Sequence, residues 1–266
     1  MATGVLSPGR ARIEKKTLRR DRWWLPPLNM AVVLAFFVVY ATVRIFMNKY
    51  YWAPDEHYLT PVYSPCISAA CVPGSSHFGQ PLPAPPPFVP IAFITFVILA
   101  GFRATCYYYR KAYYRSFFLS PAACAVPEPH KKYSGETRFP LILQNYHRYF
   151  FYGAVVFALI NLYDAILALH GKNGGVGVGL GTIIIWINVL MLWGYTFSCH
   201  ACRHVFGGRL RNFSKHPVRY RLWTLISKLN VRHGQFAMIS LFTVIFTDAY
   251  IMAVSAGWIS DPRLFN

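Results

Sequence analysis

Five apolar stretches, each long enough to cross about 30 Å of hydrocarbon at about 1.5 Å per residue, divide this chain of 266 residues. They run from about Trp24 to Met47, Pro90 to Tyr109, Leu141 to Leu169, Val176 to Phe197 and Phe236 to Ile259. Backbone facing lipid must satisfy its own hydrogen bonds, so each stretch reads as a helix. The expectation is an all-α membrane protein: a basic segment over 1–23, then a bundle of five transmembrane helices over 24–266. The first stretch is no cleaved signal peptide, because it is too long and Arg44 and Lys49 follow it in place of a small-residue cleavage site. Composition agrees. The chain is 55% hydrophobic and only 14% charged, where soluble domains run to about a quarter charged. It is too apolar for a disordered polycation, and its charge lies in blocks between apolar runs, unlike the single basic face of a nucleic-acid domain.

Those blocks set a direction. Lys and Arg number 27 against 9 Asp and Glu. Arg10, Arg12, Lys15, Lys16, Arg19, Arg20 and Arg22 precede the first stretch. Arg110, Lys111, Arg115, Lys131, Lys132 and Arg138 lie between the second and third. Arg203, Arg209, Arg211, Lys215, Arg219, Arg221, Lys228 and Arg232 lie between the fourth and fifth. The other two connections, a Pro-rich loop over about 48–89 and a turn at His170–Gly175, hold only Lys49 and Lys172. By the positive-inside rule the N-terminus is cytoplasmic, the C-terminus is outside, and the membrane is the plasma membrane.

Cysteine usage fits this topology. Cys66 and Cys71 fall in the outer loop, where oxidising conditions allow a disulfide. Cys106, Cys124, Cys199 and Cys202 fall in or near the cytoplasmic half, where thiols stay reduced and free to bind metal. Pro217–Asn230 spaces Leu222, Leu225, Ile226 and Leu229 helically beside Arg219, Arg221 and Lys228, which predicts an amphipathic helix on the inner membrane surface. The glycine run from Gly174 to Gly181 has no strand before it, so it reads as a turn with close helix packing, not a nucleotide loop.

Ligand-type residues inside membrane helices are costly and mark function by default. Counted from the outer helix ends at about 1.5 Å per residue, His147, Cys199 and His233 fall at one depth near the inner edge of the bilayer, with Cys106 somewhat deeper. In Ser198-Cys199-His200-Ala201-Cys202-Arg203-His204, Cys199 and Cys202 share one helical face, and His200 and His204 another. Cys199, Cys202, His147 and His233 thus form a Cys2His2 set. Such a set suits zinc, or an iron–sulfur cluster with two His on one iron and two Cys on the other. The alternative is b-type haem between two of the histidines, with the thiols incidental. Cys106, Cys124, His200 and His204 are reserve ligands. A lone membrane cysteine is usually packing, so the alignment across helices carries the weight here.

Nearer the outer side, Asp164 and Asp248 are the only carboxylates within the stretches and lie at matched depth, roughly 22–26 Å from the histidine level. Buried acids can carry protons; the equal alternative is that each bonds a neighbouring helix. Arg103 and Arg148 sit inside or at the edge of the second and third stretches, placed to stabilise an anionic ligand or tune a metal centre. The tract from Tyr107 to Arg115 is an interfacial anchor. With the other inner Lys and Arg it makes a basic surface suited to anionic lipid or the acidic face of a soluble partner.

Tyr113-Tyr114-Arg115-Ser116-Phe117-Phe118-Leu119-Ser120-Pro121, Arg138–Phe150 (with Gln144-Asn145-Tyr146-His147-Arg148) and the Ser198–His204 segment resemble the membrane subunit of actinobacterial, mycobacterial-type succinate dehydrogenase. The resemblance extends from about Trp23 to Asn266. It implies a single five-span anchor with a flavoprotein subunit and an iron–sulfur subunit docked on its cytoplasmic face. It further implies a Rieske-type [2Fe-2S] cluster within the membrane subunit in place of b haem, and a site for quinone, menaquinone by preference. Succinate would be oxidised in the partner, since this chain has no flavin or nucleotide fold. The usual paired Rieske loops are missing; Cys202-Arg203-His204 matches only the first. A transporter or channel with a structural zinc clip is the reading from another class, disfavoured by the want of an inverted repeat.

Overall fold

The computed structural model describes residues 19–129, 137–139, 141–171 and 174–266. Arg10, Arg12, Lys15, Lys16, Lys131, Lys132 and Lys172, which contribute to the charge pattern above, lie outside the described residues. The regular structure is mainly helical: α1 (Leu25–Met47), α2 (Phe93–Thr105), α3 (Tyr107–Ser116), α4 (His147–Leu167, entered through a 3-10 turn at Leu141–Tyr146), α5 (Leu180–Phe197), α6 (His200–Gly207), α7 (Pro217–Asn230) and α8 (His233–Ser255).

Among the described residues four helical stretches are long and apolar enough to cross a membrane: Leu25–Met47, Leu141–Leu167, Leu180–Phe197 and His233–Ser255. The second expected crossing differs. It is not one helix from Pro90 to Tyr109, because α2 ends after 13 residues and the chain turns at Cys106, whose ψ of 133° is extended. The segment beyond it, Tyr107-Tyr108-Tyr109-Arg110-Lys111, is too polar to prolong an apolar rod and starts a new helix, α3. A second break follows α5 at Cys199 (ψ 147°), where α6 begins. The amphipathic helix α7 has the bounds its sequence predicts, with Pro217 in the first turn, where its missing N–H costs nothing.

The bundle core comes from α5 packed on α8, α2 on α4 and α4 on α5, while α1 touches mainly α3 and α8. One end of the bundle carries α3, α6 and α7 with their Lys and Arg and is called the basic end here. The opposite end is closed by the segment between α1 and α2. The sequence marks that segment only as a Pro-rich loop, yet it folds into a packed cap. Its strands β1 (Trp52–Ala53) and β2 (Tyr58–Leu59) pair antiparallel, Cys66 and Cys71 are bridged, and Tyr51, Tyr58 and Tyr63 are buried. Two further strands, β3 (Val178–Gly179) and β4 (Arg263–Phe265), also pair antiparallel and tie the C-terminal residues to the connection between α4 and α5.

Tyr58 Oη meets Thr182 Oγ1 at 2.8 Å and donates to Asp261 at 2.9 Å. A methyl group at Gly181 would overlap the Tyr58 ring, so the glycine run serves close packing as expected. Cap and helices are also joined through the two intramembrane acids. Asp164 accepts from Ser64 and lies 2.7 Å from His77 Nδ1, both cap residues. Asp248, fully buried, accepts from Arg44 Nε at 2.6 Å and from Tyr40 Oη at 2.6 Å, both on α1. A group of rings completes the cap: His57 lies tilted against His170 at 4.1 Å, with Trp52 edge-on to both His57 and His77. Burial, then the neighbouring His170 and His77, hold the His57 pKa below its ordinary value.

Candidate metal centre and adjoining cavity

The two helix breaks fall on cysteines, and both place the cysteine as N-cap of the short helix that follows. Cys106 (φ −65°, ψ 133°) caps α3, and Cys199 (φ −67°, ψ 147°) caps α6. An extended residue at the head of a helix turns its side chain across the first-turn N–H groups. The N–H of Ala201 donates to Cys199 Sγ at 3.4 Å. The N–H groups of Tyr108 and Tyr109 likewise point at Cys106, and that of Cys202 at Cys199. Helix N-termini favour negative charge, which suits a sulfur that would bind metal as thiolate.

Each thiol faces a histidine from another helix. Cys199 Sγ is 3.0 Å from Nε2 of His147, the first residue of α4, and Cys106 Sγ is 3.2 Å from Nε2 of His233, the first residue of α8. The residue before each cysteine holds the opposite imidazole: Thr105 Oγ1 lies 2.9 Å from His147 Nδ1, and Ser198 Oγ lies 2.8 Å from His233 Nδ1. The dipeptides Thr105-Cys106 and Ser198-Cys199 are therefore crossed. Each fixes one ring through a hydroxyl and confronts the other with a thiol. A hydroxyl on Nδ1 leaves Nε2 as the coordinating nitrogen, an arrangement common behind metal-binding histidines.

Aromatic rings back both imidazoles. Phe102 stacks on His147 at 4.9 Å and 6°, and Tyr195 on His233 at 5.2 Å and 15°. The Tyr195 hydroxyl, wholly buried and without a hydrogen-bond partner of good geometry among the described residues, lies within reach of the Cys106 thiol. The two thiols are within electrostatic reach of each other, and so are the two imidazoles. Among the described residues no three His, Cys, Asp or Glu side chains converge closely enough to hold a single metal ion. The donors come instead as two facing pairs. Each pair is one thiol and one imidazole, and the four together supply the donor types, two thiolates and two imidazoles, that a His-ligated [2Fe-2S] group takes.

The structure brings together His147, Cys199 and His233, which the depth count aligned, and adds Cys106 in place of Cys202. Cys202 is buried within reach of Cys199 but makes no hydrogen bond to a histidine among the described residues. The shared helical face expected for Cys199 and Cys202 disappears because the helix is interrupted at Cys199. His200 is exposed at the start of α6, within electrostatic reach of His147 and His233. His204 and Arg148 are exposed and meet each other at 3.2 Å. Cys124 is exposed in the loop after α3. Sequence reasoning missed Thr105, Ser198, Phe102 and Tyr195. The repeated hydroxyl–cysteine dipeptide was the available signal for the first two.

Phe102 and Tyr195 also form the inner wall of a cavity of about 90 Å³ in the middle of the bundle. Its lining is mostly apolar, with Tyr40, Thr95, Arg103, Asn161, Tyr195 and Thr196 as the residues that bring polar atoms. Arg103 is buried between the cavity and the centre. It donates to Tyr109 Oη at 2.5 Å and to the Ser240 and Ala237 carbonyls, and its guanidinium lies 4.8 Å from the Tyr195 ring. One aromatic layer thus separates the Cys–His quartet from a dry slot that carries a cation at one end and a carboxylate-backed tyrosine, Tyr40, at the other.

The family described as actinobacterial succinate dehydrogenase subunit SdhC matches residues 25–257. Among solved structures the chain is similar to the Mycobacterium smegmatis Sdh1 complex in the apo form, at 62% identity over 100% of both chains and a TM-score of 0.89. No curated protein matches it.

Proposed function

The chain belongs to the actinobacterial family of succinate dehydrogenase membrane subunits, and from that premise we propose that it conveys electrons from its complex to a quinone held inside the bundle. As a membrane anchor of an oxidoreductase complex it needs a face for its partners, and the basic end is that face. A flavoprotein and an iron–sulfur subunit dock there, on the cytoplasmic side of the plasma membrane, with the cap outside. In this reading α2 is the fifth crossing, its 13 residues extended by Pro90, Ile91 and Ala92 towards the cap.

The observation that carries the proposal is the crossed pairing of Thr105-Cys106 and Ser198-Cys199 with His147 and His233. Cys106, Cys199, His147 and His233 would hold a Rieske-type [2Fe-2S] cluster, with Cys202 as the alternative to Cys106. When bound, such a cluster supplies a one-electron relay whose imidazole ligands raise its potential above that of an all-cysteine cluster. The chain's own residues do the rest. Thr105 and Ser198 fix the ring orientations, and Phe102 and Tyr195 keep water from the centre and close the cavity behind it. Arg103 places positive charge where the quinone, menaquinone by preference, gains electrons. Tyr40 Oη, hydrogen-bonded to Asp248, presents a proton on the cavity wall, and Asp164 with His77 links the same region to the outer side.

The test is metal and sulfide analysis of the purified complex together with electron paramagnetic resonance. Iron with acid-labile sulfide beyond the content of the soluble subunits, lost in His147→Ala and His233→Ala, is the expected result. Zinc alone at this site, or sharp α-bands of b haem in the reduced visible spectrum, would overturn it.

A further inference from the structure

A second pocket, of about 580 Å³, lies at the basic end, away from the centre, between the head of α1, the outer face of α3 and the loop that follows α3. Arg19, Arg22, Lys111 and Arg115 line it. The single carboxylate in the wall, Asp21, is already paired with Arg19, whose guanidinium also donates to the Cys124 carbonyl at 2.7 Å and so ties the α1 side to the loop. Lys111 and Arg115 are one turn apart on α3, and Arg115 is steadied by the Pro121 carbonyl. Arg22 and Lys111 have no carboxylate partner among the described residues. The pocket therefore holds an excess of fixed positive charge that its own walls leave unneutralised.

Its other walls are of a different kind. Trp23 and Tyr108 stand at the rim, and Pro26, Pro27 and Met30 form the side that runs into the first turns of α1. Aromatic rings with a polar edge concentrate at the level of lipid headgroups, and the first turns of a span lie at that level. Only 11% of the apolar window of α1 is buried within the protein, so lipid surrounds most of this helix from the pocket onward. A free anion would use the cations and leave the apolar side bare. An acidic peptide would have no call for a site opening toward hydrocarbon.

We propose that this pocket binds the phosphodiester headgroup of an anionic phospholipid, with the phosphate among Arg22, Lys111 and Arg115 and the acyl chains beside α1. Basic pockets between spans on the cytoplasmic side suit such headgroups, and each cation near the membrane surface contributes about fivefold to binding. The site rests on its own walls and not on the centre or the quinone cavity.

Native mass spectrometry of the whole complex in detergent tests it, with dioleoylphosphatidylglycerol, dioleoylphosphatidylcholine and inorganic phosphate as probes. Phosphatidylglycerol should bind at least about fivefold more tightly than phosphatidylcholine, and Arg22→Gln and Lys111→Gln should each lower its affinity about fivefold. Lys111→Arg should restore it, and Arg221→Gln on α7, outside the pocket, should leave it unchanged. Four results would overturn the assignment: equal binding of the two lipids, an equal loss in Arg221→Gln, full displacement of phosphatidylglycerol by millimolar phosphate, or pocket variants that shed the partner subunits while keeping the lipid. Arg22 and Lys111 are exposed and hold no buried contact, so their single variants test the site without disturbing the fold.

Discussion

His147 and Cys199 face each other at 3.0 Å, Nε2 to Sγ, although they stand on different helices and are separated by the whole of α4 and α5. Cys106 and His233 repeat the relationship at 3.2 Å. This twofold arrangement sharpens the choice of ligands. Cys106→Ser and Cys199→Ser should each abolish the membrane-subunit resonance and lower iron and acid-labile sulfide in the complex. Cys202→Ser should keep both. Survival of the resonance in Cys106→Ser together with its loss in Cys202→Ser would restore the ligand set read from depth alone.

The hydroxyls behind the imidazoles carry a second expectation. Thr105→Val and Ser198→Ala remove the groups at 2.9 and 2.8 Å from the Nδ1 atoms without touching a thiol or a ring. Loss of such a supporting partner typically costs about 10–100-fold in metal affinity. The rate of iron loss to a chelator should rise in both variants and further in the double one. Unchanged retention in the double variant would reduce these hydroxyls to packing.

Asp248 gives a prediction about stability. Its carboxylate answers the Arg44 guanidinium at 2.6 Å where neither side chain is more than 2% exposed. Removing one partner of a buried pair strands the other and costs about 3–5 kcal/mol. Asp248→Asn should therefore lower the thermal midpoint of the complex sharply, and Tyr40→Phe, which loses one hydrogen bond, by about 1 kcal/mol. The proton role is read separately, as quinone reduction in preparations held below the unfolding range. Full activity in Tyr40→Phe would remove that role.

These acids also show where the sequence falls silent. Depth counting set Asp164 and Asp248 at one level as ionisable groups inside the bundle, and both are buried. What engages them comes from afar: Ser64 and His77 from a loop that showed only prolines, and Arg44 from a different helix. Periodicity reports which face of a helix is apolar, not which distant side chain will meet it. The same limit explains Cys106. The run from Phe102 to Tyr109 carries Arg103 and Thr105 among its apolar and aromatic residues, and nothing in that pattern marks Cys106 as the one extended residue that turns a thiol inward. By contrast α7 was legible to the residue, because a proline start, an apolar stripe and flanking cations are all local signals.

The cap should respond to pH. His57 titrates below its ordinary value, first because it is partly buried and then because His170 and His77 adjoin it. The folded cap thus binds fewer protons here than the unfolded chain does. The sign follows: this contribution is complete above about pH 6.5 and is lost as the pH falls through that value towards the lowered pKa. Melting curves recorded from pH 7.5 down to 5 should show falling stability, with a shallower slope in His57→Asn. An equal slope in the variant would assign the effect to other groups.

A rod that stops and restarts at a cysteine has a mechanical meaning. α3 and α6 are short levers with a sulfur at the pivot and Lys or Arg along the arm, and the arms lie on the surface that a docked subunit would press. Tilting either arm moves its pivot, and with it the distance between sulfur and imidazole. In the function proposed above, a partner pressing on these arms would set the separation of the four donors, so that assembly of the complex and the geometry of the centre would be coupled.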